Sequence, residues 1–140
     1  MLRLYTYILL FAMAAADAHA AGNAIGPAPA VVERVIDGDT VRMRVAIWID
    51  QELVVSIRLA GVDAPELFRP QCTDERDKAE LAKRFVEDFL KGSDATLHDI
   101  GRDKYGGRVV ARIETQDGDL STALVEEGLA VRSDKGVWCQ

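Results

Sequence analysis

From Thr40 to Ile49 apolar and polar positions alternate. Val41, Met43, Val45 and Ile47 fall on one side, Arg42, Arg44, Ala46 and Trp48 on the other. A period of two with one apolar side predicts a half-buried strand. Val31 to Val35 before it and Leu53 to Ala60 after it are similarly rich in β-forming residues. Turns at Ile36-Asp37-Gly38-Asp39 and Asp50-Gln51-Glu52 separate the three, which predicts a meander. Beyond Thr73 the period changes: Ala79, Ala82, Phe85, Val86, Phe89 and Leu90 recur at steps of three and four. That spacing predicts a helix over Thr73 to Lys91. Asp74 and Glu75 sit in its first turn, where the helix dipole favours acids. Glu80–Arg84 and Glu87–Lys91 are i,i+4 pairs, and Gly92 stands at the end. Ala95 to Ile100 and Arg108 to Glu114 predict a hairpin around residues 102–107. A short helix follows from Leu120 to Glu127, capped by Asp119 and stopped at Gly128.

Three strands, a helix, two strands and a helix describe a mainly β fold with helices: a five-stranded OB-fold barrel with two α-helices packed outside. The N-terminus limits what belongs to it. Met1-Leu2-Arg3, an apolar run from Leu4 to Ala16, and Ala18-His19-Ala20 have the form of a cleaved signal peptide over residues 1–20. The run falls short of the about 20 apolar residues that span a bilayer, which disfavours the alternative of an uncleaved anchor. The expected product is secreted or periplasmic, with no membrane attachment after cleavage. It keeps 120 of the 140 residues, enough for one domain. Residues 21–30, with Pro27 and Pro29, read as a flexible lead-in, and residues 31–140 as the domain.

Cys72 and Cys139 both remain after cleavage. In an exported chain they can pair across 66 intervening residues, a closure that contributes roughly 4 kcal/mol in the chain-entropy model. Free thiols or a link to another chain are the alternatives. Neither cysteine lies in a CxxC, which disfavours zinc or thioredoxin-like chemistry. The net charge is −6 and stays so on cleavage, because residues 1–20 carry one arginine and one aspartate. An acidic protein is repelled by polyphosphate at long range. Locally, residues 102–112 hold Arg102, Lys104, Arg108 and Arg112 against Asp103 alone, so weak, salt-sensitive nucleic-acid binding is compatible with the balance.

Candidate chemistry lies at the bends. Asp39 and Asp63 flank strand ends, and acids so placed can converge on one hard cation that prefers oxygen ligands. Asp37 is better read as a turn former. Arg58 ends a strand leading into Asp63 and Glu66, and Arg108 follows Tyr105-Gly106-Gly107. Two guanidinium forks suit a phosphate. A cation, a spare carboxylate and two arginines are what phosphodiester hydrolysis requires. His98 has no task in that chemistry.

Three strings resemble the three signatures of the thermonuclease, or staphylococcal nuclease, family: Val35-Ile36-Asp37-Gly38-Asp39-Thr40-Val41, Ile57-Arg58-Leu59-Ala60-Gly61-Val62-Asp63-Ala64-Pro65-Glu66 and Arg102-Asp103-Lys104-Tyr105-Gly106-Gly107-Arg108. They occur in that family's order around its intervening helix, and Ala123-Leu124-Val125 through Gly128-Leu129-Ala130 resembles its next helix. The resemblance implies Asp39, Asp63 and the backbone carbonyl of Ala64 as calcium ligands, with Ca2+ as cofactor. It implies Glu66 as general base, Arg58 and Arg108 as the catalytic phosphate-holding arginines, and Lys104 and Tyr105 as substrate-binding residues. The implied activity is calcium-dependent hydrolysis of single-stranded DNA or RNA to 3′-phosphorylated products by a monomer. The alternative is a non-catalytic OB module that binds nucleic acid or protein.

Three departures stand out. Gly106-Gly107 replaces a single glycine, so Arg108 aligns only through a one-residue insertion. Ala64 replaces a threonine. The further helix and tyrosines of longer members have no counterpart after Ala130. In their place stands Val137-Trp138-Cys139-Gln140, where a Cys72–Cys139 disulfide would pin the C-terminus and Trp138 would cover apolar surface near the long helix.

Overall fold

The computed structural model describes residues 25–132 and 135–139, so the leader expected over residues 1–20 lies outside the described residues. The chain runs β1 (Ala28–Asp37), β2 (Thr40–Trp48), β3 (Gln51–Leu59), α1 (Thr73–Leu90), β4 (Ala95–Arg102), β5 (Arg108–Thr115), β6 (Gly118–Asp119) and α2 (Leu120–Glu126). The sheet order is β3-β2-β1-β4-β5-β6, and β3 also pairs in parallel with β5. That last pairing closes five strands into an OB-type barrel; the two-residue β6 merely extends β5 into the start of α2.

β1 begins at Ala28, inside the stretch expected to be a loose lead-in. Its first residues pair with β4, Ala28 opposite Leu97 and Ala30 opposite Ala95, while its later residues pair with β2. Register shifts after Val32 and after Val35 let one strand serve both neighbours. Local sequence cannot reveal this early start, because the partner lies more than sixty residues downstream.

The alternation seen from Thr40 onward orders the interior. Val41, Met43 and Val45 of β2 meet Ile57 and Leu59 of β3, Leu97 of β4 and Ala111 and Ile113 of β5 in one buried cluster. Ile47, by contrast, emerges from the barrel and is 55 % exposed. Helix α1 lays Ala79, Ala82, Val86 and Leu90 against the barrel. Its expected surface pair Glu87–Lys91 is replaced by Lys83–Glu87. Asp119 caps α2 as expected, accepting the Thr122 N–H at 2.8 Å.

Two contacts fix the site end of the barrel. The turn between β1 and β2 runs so close to α1 that a Cβ on Gly38 would lie 2.6 Å from Ala82 Cβ and 2.9 Å from Ala64 Cβ. Only glycine fits there. The Cys72–Cys139 disulfide ties the end of the chain to the N-cap of α1.

Gly38→Ala should therefore force α1 or the Ala64 loop outward and lower stability by about 1–3 kcal/mol, the usual cost of overpacking, measurable by urea unfolding. Replacing both cysteines by serine should cost about 4 kcal/mol in the same assay.

Candidate active site

Asp39 ends the turn whose geometry Gly38 permits. Asp37 Oδ1 accepts the Asp39 N–H at 3.2 Å, so Asp37 is a turn former. Thr40 opens β2 opposite Arg58 of β3, and Leu59 donates its N–H to the Asp39 carbonyl at 2.8 Å. The backbone thus sets Asp39 beside Arg58.

The chain then turns at Gly61, with a φ of +69°, and returns Asp63 to the same spot. Asp63 is locked by reciprocal 2.9 Å backbone hydrogen bonds with Val131. Arg58 joins the two acids: Nη1 lies 2.6 Å from Asp39 Oδ2 and Nη2 lies 3.2 Å from Asp63 Oδ1. The Nη2 contact is an aligned hydrogen bond. Nη1, although buried, has no aligned acceptor among the described residues, so its closeness to Asp39 is a Coulomb contact with donor capacity to spare.

Asp39 is 8 % exposed. It accepts the Ala64 N–H at 2.9 Å on Oδ2 and the Thr40 hydroxyl at 3.0 Å on Oδ1. Burial is the largest influence on its titration and pushes its pKa from 3.8 up to about 7; Arg58 opposes the rise and Asp37 adds to it.

Among the described residues Glu66 shares no hydrogen bond or ion pair with this triad. It is exposed, and its Oε1 accepts the Phe68 N–H at 2.9 Å. Its own N–H is held at 3.2 Å by Glu75, a buried first-turn residue of α1 whose other oxygen accepts the Gln71 N–H at 2.6 Å. Dipole complementarity accounts for an acid at the Glu75 position; its grip on the Glu66 loop depends on a fold contact that no local pattern carries.

Arg108 opens β5 immediately after Gly107, whose φ of +77° a side-chain-bearing residue rarely adopts. In the parallel ladder Ser56 faces Arg108 and Arg58 faces Val110. Paired residues share a face, and alternate residues of one strand share it too. Arg58 and Arg108 therefore lie on the same outer side of the β3–β5 seam. Arg108 bonds through Nε to Asp103, and its guanidinium lies 5.3 Å from the centre of the Tyr105 ring, with Lys104 Nζ at 5.1 Å. Burial opposes ionisation of Asp103, but Arg108 and the N–H groups of Lys104 and Tyr105 outweigh it and hold its pKa below the usual carboxylate value.

One expectation needs correction and another an addition. Arg112 does not extend a basic run, because it faces Asp99 at 2.9 Å, Glu114 at 3.8 Å and Asp119 at 3.9 Å. Trp138 has a polar role that the expectation of an apolar cover did not include: its Nε1–H points at Asp63 Oδ2 from 3.4 Å. A tryptophan 3.4 Å from a half-buried acid, but 75 residues from it in sequence, leaves no trace in the linear pattern. His98 lies 3.3 Å from Glu114 and away from the triad.

A profile of the family described as staphylococcal nuclease homologue matches residues 56–137. It takes in Arg58, Asp63, Glu66 and Arg108 and begins after Asp39. No curated protein matches the chain.

The Asp39 titration has a thermodynamic consequence. Its folded pKa lies above the unfolded value, so the folded state holds the extra proton between about 4 and about 7, and its contribution to stability falls as pH rises through that window. Asp39→Asn removes that dependence. Its stability relative to the parent should rise between about pH 5 and about pH 8, by at least about 1 kcal/mol, in urea unfolding followed by circular dichroism.

Proposed function

We propose that this chain, which belongs to the staphylococcal nuclease family, is a calcium-dependent nuclease that hydrolyses phosphodiester bonds of single-stranded DNA or RNA and leaves 3′-phosphorylated products. The observation that carries the reading is Arg58 gripping Asp39 and Asp63 together, with Arg108 on the same side of the barrel seam.

The donor set suits a hard cation. Asp39, Asp63 and the Ala64 carbonyl offer oxygen only, the preference of calcium. Among the described residues no cluster of three or more acids, histidines or cysteines is close enough to form a richer metal site. A two-acid site is sparse, and an affinity around 10⁻⁴–10⁻³ M, as in extracellular calcium modules, is expected. When bound, the ion would supply positive charge next to the phosphate.

The chain's own residues supply the rest. The Arg58 side chain, 19 % exposed, would turn its guanidinium to offer a donor to one phosphate oxygen. Arg108, released from Asp103, would grip a second, so that negative charge growing on phosphorus meets two fixed forks. Glu66, exposed on a loop anchored by Glu75, would turn from Phe68 to orient and deprotonate the attacking water as the 5′ oxygen leaves. Tyr105, 59 % exposed, and Lys104 line the approach to Arg108 and would contact the nucleotide.

Export is part of the same reading. The Cys72–Cys139 bond suits an oxidising compartment, secreted or periplasmic. Among the described residues no helix is long and apolar enough to cross a membrane. The protein is proposed to act as a monomer.

Single-stranded DNA incubated with the protein should be cut in calcium and left intact in chelator. Glu66→Gln should cut about 10²–10⁴-fold more slowly while binding calcium as the parent does. A parent that shifts the DNA on a gel without cutting it, in calcium as in chelator, would replace the enzyme with a binding module.

A further inference from the structure

Asp63 is restrained beyond its pairing with Arg58. Its Oδ2 accepts the Gly136 N–H at 2.8 Å and the Trp138 Nε1–H at 3.4 Å. Both donors lie on a short strap, residues 135–139, whose final described residue is Cys139, joined to Cys72. Gly136 is itself constrained, because a Cβ there would lie 2.5–2.6 Å from the Trp138 ring. The glycine lets the indole lie against the strap backbone while both N–H groups reach one oxygen.

We propose that this strap is a positioning element of the ion site: Gly136 and Trp138 fix the Asp63 carboxylate in its ligating orientation, and the Cys72–Cys139 bond holds them in place. The inference rests on Asp63 being a calcium ligand.

With Arg58 on Oδ1 and the strap on Oδ2, rotation of the carboxylate about its last bond is blocked at both oxygens. The strap donors are neutral. They orient the group without adding positive charge that would repel an arriving cation, unlike a second arginine. Outer hydrogen-bond partners of this kind tune metal affinity strongly, and each ligand counts for more in a site with two acids. The disulfide also abuts the other clamp: Cys139 Sγ lies 4.0 Å from Glu75 Oε2, a packing contact because a bridged sulfur carries no proton, and Glu75 holds the Glu66 loop. One covalent bond thus stands behind both halves of the Asp63–Glu66 loop.

Calcium binding to the oxidised full chain, followed by titration calorimetry, tests this. Trp138→Phe keeps the ring and removes its N–H. It should bind calcium about tenfold more weakly, while its unfolding temperature without calcium stays that of the parent. Cys72→Ser/Cys139→Ser, which frees the strap, should lose at least as much affinity. A spectroscopic signature should accompany the loss. In a Trp48→Phe background Trp138 is the remaining tryptophan of two, and its emission should change on calcium addition and cease to respond in Asp63→Asn. Calcium affinity in Trp138→Phe equal to or tighter than the parent's overturns the proposal. A parent that takes up no calcium at all is a different result, and brings down the reading of the ion site itself.

Discussion

The site depends on placing one guanidinium between two carboxylates where little water reaches. Asp39 is nearly buried, and burial, with Asp37 adding to it, favours its neutral form strongly enough to lift its pKa to about 7 even with Arg58 in contact. Leaving either partner alone there would be costly. The fold meets that cost with redundancy: the Thr40 hydroxyl, the Ala64 N–H and Arg58 converge on Asp39, while Arg58, Val131 and the strap converge on Asp63. The turn at Gly38, the return at Gly61 and the β2–β3 register serve this convergence as much as they serve the core.

The framework was legible because it rests on periods. Alternation over Val41 to Val45 and the helical stripe of Ala79, Ala82, Val86 and Leu90 depend on each element having one buried side, a property visible in a short window. Boundaries were less legible where pairing decides them. Ala28 to Ala30 join β1 because β4 lies alongside, and no local preference announces a partner so far away. The bends carrying Asp39, Asp63 and Glu66 were readable because glycine and proline mark sharp turns and the acids stand beside them.

What stayed hidden was side-chain partnership. Arg108 and Arg112 look alike in sequence, but lie against Asp103 in one case and against Asp99, Glu114 and Asp119 in the other. Much of the positive charge expected along residues 102–112 is thereby spoken for. A chain of net charge −6 offers a polyanion little long-range attraction, and under the proposed reading a phosphate would have to win Arg58 and Arg108 from resident carboxylates. Trp138 and Glu75 were hidden for the same reason: their importance comes from contacts across the fold, and nothing in their immediate neighbours differs from ordinary packing or capping.

The parallel seam between β3 and β5 has a bearing on timing. It joins Ser56 to Arg108 and Arg58 to Val110, segments separated by a whole helix and a further strand, and contacts of such long sequence separation are slow to establish. Arg58 and Arg108 share a side only once that seam has closed. A chain with β5 still unpaired carries both arginines but holds them on no common side. The common side of the two arginines is therefore a property of the closed barrel, and no shorter piece of the chain carries it.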